Sequence, residues 1–269
     1  MSGRMSETDP AGEPWIERGA EGPAIEGLAA AVIARLAGAG RPGDAEARPQ
    51  VLRRLVGMVL APGECDPDRV LVDLRRYRVP DHVIVATYVP QAARLLGEMW
   101  VEDGLAFAEV SVGSARLQAL VRRVEDGHGR PSGSQSGGAS PLRLMIVVPA
   151  DEQHTLGAVT LSVLRRRAGD EVALRLNPDP NELCRDLGRM SHDALILSCS
   201  TDRGLEVASA LFSRVRSNIP RPPVLSVGGP AVARLSPRSV PGADIATDEF
   251  AVVEKLARAR RAGRIAEVE

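Results

Sequence analysis

The stretch that most limits the fold is residues 142–148, which is apolar except for Arg143 and ends in three β-branched side chains, Ile146, Val147 and Val148. It is too short for a typical buried helix and reads as a central strand of a parallel sheet. From there the pattern alternates strand and helix. Strands are expected over 142–148, 171–176, 194–199, 224–228 and 244–247, with helices near 156–167, 180–190, 204–217, 230–235 and 249–262. Five β/α units with short connections predict a flavodoxin-like (Rossmann-like), doubly wound, parallel five-stranded sheet. Ligands of such sheets bind outside the carboxyl ends of the strands, at the switch point between the first and third. His154 stands at that edge, with Glu152 two residues before it and Gly157 three after. The same edge carries Ser198, Cys199, Ser200 and Thr201 after the third strand and Gly228 and Gly229 after the fourth. Each feature alone has an ordinary explanation: hydroxyls cap helices, Gly-Gly turns follow strands, and a lone histidine usually flanks a helix.

The first half of the chain has helical periodicity instead. Residues 1–22 are polar and aperiodic and are expected to be a disordered leader. Apolar residues at helical spacing over 24–36, 51–60, 66–76, 81–101 and 107–125 predict a helical bundle spanning 23–126. Pro90 falls inside one of these segments, so a break at Val89 or a kink is expected there. Gly104 joins the last two helices. Trp100, just before it, is either a core residue of the bundle or an exposed plate over a flat ligand. Residues 127–141, rich in Gly, Ser and Pro, read as a flexible linker to the α/β domain at 142–269. A chain of 269 residues, 44% of them hydrophobic, is long enough to bury a core in both domains.

Charge and cysteine content remove several function classes. A net charge of -1 provides no drive toward nucleic acid or anionic membrane, so direct DNA binding is not expected. Three cysteines without CxxC spacing argue for a reducing compartment, and no apolar run reaches spanning length, so a cytoplasmic location is expected. A phospho-receiver site would need an aspartate at the end of the third strand, where this chain has Ser-Cys-Ser, and a Gly-x-Gly-x-x-Gly dinucleotide turn is absent after the first. Cys199 has no base beside it, since His192 lies at the other end of its strand, and His82 and His128 sit in polar contexts.

The spacing Glu152-x-His154-x-x-Gly157 is similar to the Asp-x-His-x-x-Gly signature of cobalamin-binding domains, in which the histidine is the lower ligand to cobalt and the acid hydrogen-bonds its far ring nitrogen. The resemblance extends to Ser198, which matches the first serine of a Ser-x-Leu motif with Ser200 in place of the leucine, and to Gly228-Gly229. It includes Trp100, Gly104 and Glu109 of the helical cap that covers the cofactor's upper face, with Val110 where that pattern has histidine. The strings Met99-Trp100, Phe107-Ala108-Glu109-Val110, Arg116-Leu117-Gln118 and Glu152-Gln153-His154-Thr155-Leu156-Gly157 resemble the cobalamin-binding antirepressors of the AerR/PpaA type.

That resemblance implies base-off, His-on adenosyl-, methyl- or hydroxocobalamin, with cobalt on His154 and the nucleotide tail between Ser198 and Gly228-Gly229. It implies no catalysis. It points to a light-linked regulator of photosynthesis genes acting through a CrtJ/PpsR-type repressor, in which loss of an upper adenosyl group lets the Trp100 helix close. A corrinoid carrier for methyl transfer is the alternative, and a cobalamin-free scaffold is a third reading.

Overall fold

The computed structural model describes residues 47–102, 104–127, 140–232 and 240–266. The expected leader, the helix over 24–36, most of the linker with His128, and residues 233–235 of one expected helix lie outside these residues.

The bundle is built from α1 (Pro49–Leu60), α2 (Pro67–Arg76), α3 (Val89–Val101) and α4 (Phe107–Asp126). Proline opens α1 and α2, where its missing N–H costs nothing, and Asp66 caps α2 by accepting from the Asp68 amide at 2.9 Å. The segment expected as one helix over 81–101 is divided. A short turn, Asp81–Val83, leads into a π-helical turn, Ile84–Tyr88, and α3 then starts with Pro90 in its first turn. The pyrrolidine ring would collide with the carbonyl four residues back, and the extra residue of the π turn relieves this without breaking the segment.

The second half is a five-stranded parallel sheet in the order β2-β1-β3-β4-β5, as the alternating pattern predicts. Its strands are β1 (Arg143–Val148), β2 (Glu171–Leu176), β3 (Ala194–Ser198), β4 (Val224–Gly228) and β5 (Ile245–Ala246). The helices between and after them are α5 (Leu156–Arg167), α6 (Pro180–Arg189), α7 (Asp202–Asn218) and α8 (Phe250–Ala266). Of the helix expected over 230–235, the described part is a turn around Ala231. One face of the sheet is covered by α6 and α7 through Leu183, Leu187, Leu211 and Phe212, and the other by α5 and α8 through Ala158, Val253 and Ala257. Alternation along the strands sorts Leu144, Ile146 and Val148 to the α5/α8 face, and Met145 and Val147 to the α6/α7 face. At the amino ends, aspartates preceding three strands accept from the first amides of neighbouring ones: Asp170 from Leu142, Asp193 from Arg143 and Asp244 from Leu225.

Helix α5 belongs to both halves. Val159 and Val163 are buried in the same apolar cluster as Leu117, Leu120 and Val124 of α4, so the bundle sits directly on the helix that follows the His154 loop. Arg166 pairs with Glu125 across this seam. Among the described residues no helix is long and apolar enough to cross a membrane.

Candidate ligand-binding edge around His154

The loop after β1 turns sharply. Asp151 adopts φ 69°, a left-handed conformation that aspartate tolerates better than most residues, and the turn sends Glu152 inward while His154 stays exposed. The Glu152 side chain, 9% exposed, lies against the turn that joins β3 to α7. Its Oε1 accepts from the Ser200 amide at 2.8 Å, the Thr201 amide at 3.0 Å and the Thr201 hydroxyl at 2.9 Å, and its Oε2 accepts from the Ser200 hydroxyl. Thr201 is also the N-cap of α7, accepting from the Gly204 amide at 2.9 Å. A carboxylate facing the first turn of a helix is favoured by the aligned peptide dipoles. Gly204 makes the room: a Cβ there would come within 2.0 Å of Glu152 Oε1.

His154 is joined to this group through Ser200, whose Oγ stands 3.0 Å from His154 Nδ1. The expected direct bond from the acid to the ring nitrogen is replaced by a serine between them. The reason is that Glu152, one methylene longer than aspartate, reaches past the ring into the β3–α7 turn and is filled by donors there. With Glu152 a carboxylate, it can only accept, so the single Ser200 proton points to it and the Ser200 lone pairs face His154. That hydrogen-bond logic assigns the proton of the neutral ring to Nδ1 and leaves the Nε2 lone pair free. Ser200, expected to line the ligand itself, is 4% exposed and acts on the ring instead.

The remaining residues form two further groups. Ser198, half-buried, pairs with Gly228 across β3 and β4. Gly229, at φ 98°, passes so close to Cys199 that a Cβ would lie 2.6 Å from its carbonyl oxygen. Gly157 is exposed one turn beyond His154, and a Cβ there would meet nothing. On the bundle, Trp100 is half-buried and meets Phe107 edge to face with centroids 6.3 Å apart, while Phe107 itself is 67% exposed. Trp100 is thus neither a core residue nor a free plate. Glu109 accepts from the Ala106 amide at 2.8 Å and so closes the start of α4.

Sequence reading missed two contacts of this edge. Gln118 of α4 donates to the Thr155 hydroxyl at 2.9 Å, tying the bundle to the residue after His154. Gly204 carries no motif of its own; its signal is a glycine three residues after an N-capping threonine. Cys199 is buried with its thiol pushed up to about 12, first by burial and then by the Glu152 charge, which disfavours the thiolate. Clefts of about 360 Å³ along α4, α5 and β2, and about 500 Å³ between α1 and α2, are lined by other residues.

The donor set fits a metal that arrives already chelated. Among the described residues no three His, Cys, Asp or Glu side chains gather as a metal site. One exposed imidazole with its proton held on Nδ1 could supply one nitrogen ligand to a metal whose other ligands come with it, as in a corrinoid. On the α5/α8 face just below this edge, the Ser226 hydroxyl is buried without a hydrogen-bond partner, as expected where a polar group of a ligand belongs.

No protein-family model matches the chain. It is 28% identical over 187 residues to an uncharacterized 20.5 kDa protein in the bchF-crtJ intergenic region of Rhodobacter capsulatus, covering 69% of this chain and 96% of that protein. Among solved structures, it is similar to the monomethylamine corrinoid protein of Methanosarcina barkeri, with a TM-score of 0.55 at 13% identity, covering 78% of this chain and 94% of the other. At that identity the likeness is one of fold: a helical bundle followed by a Rossmann-like parallel sheet.

Proposed function

We propose that this protein binds cobalamin base-off with His154 as the lower ligand, and that it is a light-linked regulator acting through a CrtJ/PpsR-type repressor rather than an enzyme. The observation that carries the first part is the chain Glu152–Ser200–His154, which holds a ring proton on Nδ1 and presents Nε2 at the carboxyl edge of the sheet. The fold shared with a corrinoid protein supports it, as does the match to a protein in a bchF-crtJ region for the regulatory part.

When bound, cobalamin would supply a cobalt–carbon bond that light breaks in the adenosyl form. The chain supplies the rest. His154 provides the Nε2 lone pair, Ser200 fixes the tautomer, and Ser198, Gly228 and Gly229 shape the tail side of the edge. Gly157 keeps the approach to the ring clear. Trp100 and Phe107 form the aromatic tip of the bundle, and Glu109 holds the start of the helix that bears Phe107. Because Gln118 on that helix holds Thr155, a shift of α4 that depends on the upper group is transmitted to the loop of the lower ligand, and the reverse.

The test is association with a CrtJ/PpsR-type repressor, followed by size-exclusion chromatography of the adenosylcobalamin-loaded protein in darkness and after illumination. A complex whose amount changes with light supports the regulator. A second reading, a corrinoid carrier, is favoured by the likeness to a monomethylamine corrinoid protein. Light-independent elution without a repressor complex, together with methyl transfer from methylcobalamin to a thiol acceptor by a partner methyltransferase, would replace the first reading by the second.

A further inference from the structure

Asp66 before α2, Asp179 before α6 and Thr201 before α7 cap their helices in the same way. Each has an extended backbone, with ψ 112°, 129° and 159°, and each side chain accepts from an amide in the first turn of its own helix. Thr155, at the same place before α5, departs from this pattern. Its φ of -93° and ψ of -16° are helical, and its side chain makes no bond to its own helix. The hydroxyl instead accepts from Gln118 Nε2 of α4 at 2.9 Å. One hydroxyl therefore has two competing partners, the bundle and the first turn of α5, and the two bonds are of comparable strength.

The choice matters because His154 is the residue before Thr155. Passing from the helical to the capping conformation is half a turn about the Thr155 Cα–C bond, from ψ -16° toward the 159° that Thr201 shows. Helix α5 does not absorb this turn, because Ala158 is buried against the sheet, and Val159 and Val163 against the bundle. The loop before the helix takes it up instead. His154, exposed and joined to the β3–α7 turn through the Ser200 hydroxyl, is what moves. Gln118, in contrast, sits on a helix anchored by the buried Leu117, Leu120 and Val121.

We propose that Gln118 is a positioning residue for the lower ligand: by keeping the Thr155 hydroxyl from capping α5 it holds His154 against Ser200, and withdrawal of α4 releases the ring by letting that cap form. This rests on the reading of His154 as a cobalamin ligand, but the exchange of the hydroxyl between its two partners belongs to the free protein and is measurable there.

The test compares wild type with Gln118→Leu, Thr155→Ser and the double variant Gln118→Leu/Thr155→Ala. In the free proteins the Thr155 Cα and Cβ chemical shifts report its backbone; they should be helical in wild type and move toward extended values in Gln118→Leu. Hydroxocobalamin affinity, read by visible titration, should fall about tenfold in Gln118→Leu, the lower end of the cost of disturbing a group that orients a metal ligand. Thr155→Ser keeps the hydroxyl and should stay within about twofold of wild type. The double variant should bind more tightly than Gln118→Leu alone, because alanine caps poorly and favours a helical backbone, so nothing draws residue 155 out of it. Helical Thr155 shifts in Gln118→Leu, or a double variant that binds no better than the single one, would overturn the proposal and leave Gln118 as a tether between the two domains. Failure of wild type to retain hydroxocobalamin would instead overturn the reading of His154 on which the proposal rests.

Discussion

Ser200 Oγ lies 3.0 Å from His154 Nδ1 while its proton is given to Glu152 Oε2, so the acid controls the imidazole only through the serine. Two consequences differ from those of a direct acid–histidine pair. Glu152 is held mainly by the β3–α7 turn, through both amides and the Thr201 hydroxyl, and would stay there if the ring moved. The ring, in contrast, depends on one hydroxyl.

Ser200→Ala should therefore lower corrinoid affinity about 10- to 100-fold, the usual cost of removing a residue that orients a metal ligand. Visible titration with hydroxocobalamin reads this. Ser200→Thr, which keeps the hydroxyl, should retain most of the affinity. Equal affinities of the alanine variant and wild type would show that the ring orients itself without Ser200.

Gly204→Ala sets two effects against each other. Helix propensity favours alanine by at most about 1 kcal/mol. The added Cβ would stand 2.0 Å from Glu152 Oε1, and overpacking of this kind costs about 1–3 kcal/mol. A net loss of stability is expected in urea unfolding, together with weakened corrin binding as the carboxylate is displaced. A more stable variant would mean that Glu152 moves aside freely.

Acid should destabilise the protein in two steps. His192 is buried, and burial holds its ring below the ordinary histidine value despite the Met190 carbonyl 2.8 Å from Nδ1. The unfolded chain then takes up the proton first, so stability is full above the unfolded value near 6.5 and falls as pH drops below it. Burial pushes Asp244 up, but bonds from Arg260, the Leu225 amide and Arg216 outweigh it and hold the carboxyl low. Its contribution is present above the unfolded value near 4 and is lost as pH falls through the lower folded value. Urea unfolding between about pH 8 and pH 3 measures both. His192→Asn should remove the upper step alone; an unchanged profile in that variant would assign the step elsewhere.

Phe107→Ala should leave stability within about 0.5 kcal/mol, since the ring is 67% exposed. Its loss should still weaken binding of adenosylcobalamin by about 1 kcal/mol if the Trp100–Phe107 pair meets the upper face. Unaltered affinity for the adenosyl form would remove the bundle tip from the site.

The strands were legible because β-branched runs and short connections leave few alternatives, and the order β2-β1-β3-β4-β5 follows from them. Glu152, His154 and Ser200 were visible as separate residues at two strand ends. Their joining was not, because it depends on Glu152 reaching a turn 48 positions away in the chain, a distance no local pattern encodes. The π turn before Pro90 was half legible: proline announces a disturbance, but packing of Ile84, Val85 and Tyr88 into the bundle decides that the helix bulges rather than breaks. Ser226 gave no signal at all, since a serine in a strand is noteworthy only once its burial and missing partner are known.

The central claim is that His154 Nε2 holds the cobalt of a bound corrinoid. The most direct measurement is the visible spectrum of the protein mixed with hydroxocobalamin and desalted, with adenosylcobalamin before and after illumination alongside, for wild type and His154→Ala. Retained corrin absorbance with a base-off, histidine-bound spectrum in wild type, and its loss in the variant, is the predicted result. Wild type that emerges colourless from every condition, or a variant that keeps the same spectrum, would contradict it.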